Sequence, residues 1–316
     1  MVNGYKPASL KEALEIRSSN DVVPYAGGTD LMVENRKNVS YLFINGIEEL
    51  KQIRKEGDYV SIGSCVTFTQ ALESDLISPL MKDAVREIAA PAIRNAGTFG
   101  GNIGNGSAKA DSALIFFVCD AKVRLASLRG TRTLDIEDFY QGRKKLDLRS
   151  DELIVDILVP VHGMENCYYK KVGGRNALAI SRVAFAGTIS IENGQIEHIA
   201  AAFGAVSDTV LRFHDLEDRL IKKTLEEARA GKEQLLADYA KRLVLTRGRV
   251  SAEYRKTVCL NLLNDFLEEK GIEPIESDLG EFIIQLLGQK PYHFVTPAMH
   301  LSLEEIAKLF HEKFET

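Results

Sequence analysis

Cysteine is scarce in this chain: Cys65, Cys119, Cys167 and Cys259 are the only four among 316 residues, and no two form a C-x-x-C pair. An iron–sulfur cluster needs closely spaced thiolates, so none is expected on this chain. The six histidines are equally dispersed, and a metal site is not expected either. No apolar run is long enough to span a bilayer, and the opening Met1-Val2-Asn3-Gly4-Tyr5-Lys6 lacks the apolar core of a signal peptide. The expected location is the cytoplasm, where a disulfide framework is not expected. A basic excess is missing as well. The formal net charge is -5, with no basic stripe to neutralise phosphates, which argues against nucleic acid as a partner. No Ser/His/Asp or Cys/His set shares a local context, so no residue is assigned a catalytic role.

Glycine, by contrast, is concentrated in two places. The first is Pro24-Tyr25-Ala26-Gly27-Gly28-Thr29-Asp30-Leu31. The second is Gly97-Thr98-Phe99-Gly100-Gly101-Asn102-Ile103-Gly104-Asn105-Gly106-Ser107. Paired glycines let a backbone pass close to a ligand and present a row of N–H groups. Thr29, Thr98 and Ser107 add hydroxyls. Neither stretch has G-x-G-x-x-G spacing or the G-x-x-x-x-G-K-[ST] of a P-loop. Either one alone reads equally well as an ordinary tight turn. The pair points to a ligand with two phosphates, held from both sides.

The rest of the chain reads as α+β. Ser9-Leu10-Lys11-Glu12 is a capping box that opens a helix. Strand patterns follow at residues 22–26 and 41–44, making a βαβ-like subdomain over residues 1–57. A second subdomain, 58–160, holds a helix start at Thr67, a helix over 80–90 stopped by Pro91, and an apolar helix over 112–119. Strand-like stretches at 123–126, 133–136 and 153–160 complete it. Residues 161–272 change character, with strands at 168–172, 183–191 and 196–203. Asn193-Gly194 marks a hairpin turn between the last two. Charged helical stretches from 224 to 270 are expected to cover one face of that sheet. In the tail, 273–316, Ser302-Leu303-Glu304-Glu305 opens a further helix with Leu303, Ile306, Ala307, Phe310 and Phe314 on one face.

Several of these residues occur together in a known order. The two glycine stretches resemble the AGGTD/S and T-[IF]-GG-N signatures of the FAD-binding subunits of molybdenum hydroxylases, such as those of xanthine and carbon monoxide dehydrogenases. Asp111, Leu128-Arg129-Gly130-Thr131-Arg132, Asp151-Glu152-Leu153-Ile154, Tyr169-Lys170-Lys171, Arg175 and Ser251-Ala252-Glu253-Tyr254-Arg255 follow in family order. The resemblance covers about residues 4–272. It implies a two-subdomain FAD-binding domain of the vanillyl-alcohol-oxidase (PCMH) type, followed by an α+β C-terminal domain.

The resemblance also implies a site. Tyr25, Ala26, Gly27, Gly28, Thr29, Asp30 and Leu31 would form one wall of a non-covalent FAD site, and Thr98, Gly100, Gly101 and Asn102 the other. Asp111 would meet ribityl or ribose hydroxyls, or else cap the helix that follows it. Ile154 would meet the flavin ring or simply fill strand core. Lys170 would lie near the ring or stand solvated at a strand end. Ile88 replaces an aromatic of eukaryotic relatives, so stacking there is lost. Arg129 and Arg132 are expected to flank a hairpin turn. The implied role is electron transfer from a [2Fe-2S] subunit to NAD+, with molybdopterin on a large partner subunit. Two rival readings are a self-sufficient flavin reductase and an assembly subunit that kept the fold but lost redox function.

Overall fold

The computed structural model describes residues 3–34, 36–161, 166–175 and 177–273. His162 and the tail 274–316, with its expected helix from Ser302, lie outside them. The described chain is α+β, built from three main sheets and a short hairpin.

The first sheet is parallel and places Tyr41–Phe43 between Gly4–Tyr5 and Val23–Tyr25. Ser9 caps the helix Leu10–Ser19 by accepting from the Glu12 amide, and the Glu12 carboxylate reaches back to the Ala8 amide at 2.7 Å. Ala13 and Leu14 of this helix pack with Leu42, Ile47 and Leu50 in a small core. Strand Gly4–Tyr5 is two residues long and carries no hydrophobic pattern, so sequence reading passes over it, although Tyr5 packs against this core.

The second sheet is antiparallel and five-stranded, in the order Ile53–Glu56, Tyr59–Gly63, Leu153–Pro160, Lys122–Ser127, Gly130–Asp135. The strand Leu153–Pro160 is its centre rather than its end, which explains its near-continuous apolar sequence. A register shift between Ile154 and Asp156 bends it where it meets the glycine-rich segments. Arg129 and Arg132 do not flank the hairpin turn: Arg129 lies in it and Arg132 within the following strand, opposite Leu125; Arg129 pairs with Asp151, and Arg132 with Asp147 and Glu152.

Two helix boundaries differ from expectation. The helix expected over 80–90 is Pro79–Arg86, capped by Ser78, and Pro91 opens the next turn, Pro91–Arg94, instead of ending the last. Proline suits a first helical position because its missing N–H has no partner to lose there. The second glycine-rich stretch is no loop: Phe99–Gly104 is helical, with Thr98 as its N-cap.

The C-terminal sheet is antiparallel, in the order Cys167–Val172, Val183–Glu192, Gln195–Gly204, Leu211–Arg212. Its hairpin turns at Asn193 and Gly194, with φ of 51° and 78°, as a two-residue turn with both centres at positive φ requires. Val183, Phe185, Ala201 and Phe203 face one core with helix Ala252–Glu269. Ala184, Ala186, Ala200 and Ala202 face the other way, into the core shared with the five-stranded sheet. Helix Asp111–Val118 packs there, with all eight of its residues buried. The sheet is therefore covered on both faces, not on one. Alanines on the inner face leave room for a helix that is apolar all round.

Candidate functional site

The two glycine-rich segments meet. A Cβ on Gly27 would overlap the carbonyl oxygen of Ala96, just before the second segment, so the close approach requires glycine. Between them opens a cleft of about 330 Å³. Of the residues expected in the site, Ala26, Gly27, Gly28, Thr29, Asp30, Leu31, Thr98, Gly100, Gly101, Asn102 and Ile154 border it. Three do not: Tyr25, Asp111 and Lys170.

The walls differ in what they offer. The amides of Gly27, Gly28, Thr29, Asp30 and Leu31 donate to no acceptor among the described residues. Gly28 has φ +69°, and Tyr25 lies beneath it with its ring edge-on to Tyr41 at 5.9 Å. Tyr25 thus supports the turn from behind. In the second wall the amides from Phe99 to Asn102 are already spent. Phe99 donates to the Val66 carbonyl at 3.2 Å and Gly100 to that of Ser64 at 2.9 Å. Gly101 donates to the Thr98 hydroxyl at 3.0 Å and Asn102 to the Thr98 carbonyl at 2.9 Å. This wall contributes shape instead. A Cβ on Gly101 would touch only the Thr98 hydroxyl and otherwise enter open cleft.

Side chains tie the walls together. Asn105 donates to Asp30 at 2.7 Å. Glu34, just past the first turn, accepts from Lys144 at 2.9 Å and from Arg36. Ser64 also borders the cleft, and its buried hydroxyl has no hydrogen-bond partner. An orphaned hydroxyl beside five unspent amides is the donor set a diphosphate needs, so the residues present fit such a group. Ser64, Lys144 and Arg17, which also borders the cleft, gave no signal in the sequence. They converge only through the fold.

Asp111 is buried under the C-terminal sheet. It accepts from Lys171 at 2.7 Å and from Ser181 at 2.6 Å, and Lys171 also donates to the Glu87 carbonyl at 2.9 Å. Burial pushes the Asp111 carboxyl above its usual range in spite of Lys171 and Ser181. It does not cap its helix: Ala110 occupies the N-cap position, with no side-chain cap bond. Lys170, one residue from Lys171 on the same strand, points the opposite way and is exposed. Side chains alternate along a strand, so only one of two neighbouring lysines can reach Asp111.

A second cavity of about 530 Å³ adjoins, with Lys144 on the wall of both. Ser181, the partner of Asp111, lines it. Eight lysines and arginines line it against one carboxylate, Asp208. Elsewhere the chain holds little reactive chemistry. Burial pushes the Cys65 thiol up to about 11 and that of Cys259 up to about 12, which leaves both unreactive. Among the described residues, no group of three or more His, Cys, Asp or Glu could hold a metal ion. No described helix is long and apolar enough to cross a membrane.

The cleft with its two glycine walls lies between the parallel sheet and the five-stranded antiparallel one. Residues 1–162 match the family described as the FAD binding domain in molybdopterin dehydrogenase, and 168–270 that of the CO dehydrogenase flavoprotein C-terminal domain. The chain is 32% identical over 264 residues to the xanthine dehydrogenase FAD-binding subunit of Escherichia coli, covering 79% of this chain and 89% of that one. It is 33% identical over 228 residues to the glyceraldehyde dehydrogenase medium chain of Sulfolobus acidocaldarius, covering 69% and 80%. The fold is shared with a chain of reconstituted CO dehydrogenase from Oligotropha carboxidovorans, with TM-score 0.78 and 24% identity over 85% of this chain and 96% of that one. The chain belongs to the family of FAD-binding subunits of molybdopterin-dependent dehydrogenases, which are oxidoreductases.

Proposed function

We propose that this chain binds FAD without a covalent link and serves as the electron-transfer subunit of a molybdenum hydroxylase. In this reading a small [2Fe-2S] subunit delivers electrons, a large subunit carries molybdopterin and the substrate, and NAD+ accepts the electrons. The observation that carries the reading is the run of unspent amides from Gly27 to Leu31 facing a cleft whose other wall has no side chains at Gly100 and Gly101. When bound, FAD supplies the exchange between one-electron and two-electron chemistry. The chain's own residues hold and orient. The amides of the first turn and the Ser64 hydroxyl would face the diphosphate, and Ile154 gives the cleft an apolar wall. Support for a phosphate-bearing acceptor comes from the neighbouring cavity, where cations outnumber carboxylates eight to one.

The test is direct. Purified apo chain titrated with FAD should quench flavin fluorescence to one equivalent, and a protein that stays colourless sinks the reading. Copurification from its native host should bring down a molybdopterin subunit and a [2Fe-2S] subunit. Vigorous NADH-dependent reduction of small substrates by the isolated flavoprotein would favour a self-sufficient reductase instead.

A further inference from the structure

Three cationic side chains border the first cleft: Arg17, Arg36 and Lys144. Two of them share one carboxylate. Arg36 and Lys144 both sit on Glu34, at 2.6 Å and 2.9 Å. Arg17 is different. It has no carboxylate within 4.0 Å among the described residues. Asp151 and Asp21 act on it only at longer range, and Asp151 is itself paired with Arg129.

What Arg17 does have is a fixed position. Its Nε donates to the Glu152 carbonyl at 2.7 Å and its Nη1 to the Val22 carbonyl at 2.6 Å. Val22 leads into strand Val23–Tyr25 and so to the first glycine turn. Glu152 leads into Leu153–Pro160 and so to Ile154. The guanidinium is therefore pinned between two segments that enter the cleft from opposite sides. A guanidinium carries five N–H donors in a rigid fork. Neither hydrogen of Arg17 Nη2 has an acceptor among the described residues. Burial works against its charge, a cost that a bound anion would offset.

The cleft needs such a charge. Neutral amides in one turn can cradle two phosphates but do not neutralise them, and in the second wall the amides from Phe99 to Asn102 are already taken. Accepting that FAD is the ligand, we propose that Arg17 makes the cationic contact to its diphosphate, the charge that neither glycine-rich segment contains.

The experiment titrates apo wild type, Arg17→Met and Arg17→Lys with FAD at several salt concentrations, with a urea midpoint for each. The Met variant should bind FAD about ten- to a hundredfold more weakly, the scale of a lost charged hydrogen bond. Its affinity should also lose much of its salt dependence. The Lys variant should keep the wild-type salt slope and recover part of the affinity. Equal affinity and slope in wild type and Arg17→Met would overturn the proposal. So would a loss that lysine does not restore and that follows the urea midpoint, since that assigns Arg17 to tethering the two carbonyls. Should Arg17→Met fail to fold, Arg17→Lys decides: a flat salt slope overturns the proposal. If wild type itself fails to bind FAD, the FAD reading falls first and this inference with it. If wild type binds and the Met variant binds equally well, only this inference falls.

Discussion

The two glycine-rich walls are nearly interchangeable on paper, and the fold uses them in opposite ways. In the first, glycines leave a turn whose amides from Gly27 to Leu31 remain free. In the second, glycines sit inside a short capped helix whose first amides are all taken. Gly100 is there because a Cβ would run into the backbone of Ser64, and Gly101 because its open side faces the cleft. One wall offers donors and the other offers space. A symmetrical grip from both sides, the natural reading of the sequence, gives way to an asymmetric cleft in which the run of free amides lies in the first turn.

That asymmetry can be broken by substitution. Gly27→Val should have the largest effect, because its new side chain would overlap backbone at Ala96, and backbone cannot rotate away. A loss of more than about 3 kcal/mol is expected from urea denaturation. A near-normal midpoint would mean that the two walls can part freely. Gly101→Ala probes the other wall. Its methyl would press only on the Thr98 hydroxyl before entering the cleft. The chain should stay folded while FAD binding weakens by about tenfold or more, about 1.4 kcal/mol. Unchanged FAD affinity would show that the second wall does not touch the ligand.

How much of this was legible depended on whether the signal was local. The Asn193-Gly194 hairpin and the caps at Ser9 and Thr67 were readable because each is fixed by residues a few positions apart. The apolar run at 111–118 was readable as a helix, but not as the piece that joins two domains, because its partners Ala184 to Ala202 lie far along the chain. That both glycine segments would face one another was legible. Which of them had free amides was not, since that depends on Val66 and Ser64 accepting from the second. Asp111 was read as a cofactor contact or a helix cap, yet it neither borders the cleft nor caps its helix; its partner is Lys171, and strand alternation between adjacent lysines decides that. Arg17 left no trace in the sequence at all. Its surroundings are assembled from Val22 and Glu152, and only the folded chain brings the second of these near.

Thr98→Ala sharpens the comparison from within the second wall. The Thr98 hydroxyl accepts from Gly101 and closes the helix N-terminus. Removing it should cost about 1 kcal/mol of stability, the usual value of an N-cap. It should also release the Gly101 amide toward the cleft. If the first turn carries the polar contacts, FAD affinity will fall no more than the loosening of the helix explains. A gain in affinity in Thr98→Ala would mean that freed amides of the second wall can hold phosphate, and the asymmetry would then be a matter of capping alone.

The smallest effect concerns the bridge from the first turn to the hairpin at Lys144. Hydrogen bonds from Lys144 and then Arg36 hold the Glu34 carboxyl below the usual carboxylate range. A carboxyl whose folded pKa is depressed contributes stability that is present above its unfolded value, 4.5, and is lost as pH falls through the folded one. At neutral pH Glu34→Gln should therefore lower stability, but only by about 0.5 kcal/mol, because the pair is near the surface and screened by salt. Wild type and variant should converge below the folded pKa, where the wild-type carboxyl is protonated too. The same substitution releases Arg36 and Lys144 as unpaired cations on the cleft wall. If they can reach the ligand, FAD affinity will rise at neutral pH and fall back with added salt, and Arg17 would no longer be the only cation on the cleft wall without a carboxylate partner among the described residues. If affinity stays flat, the bridge only closes that end of the cleft, and the cationic contact remains on the wall where the first turn begins.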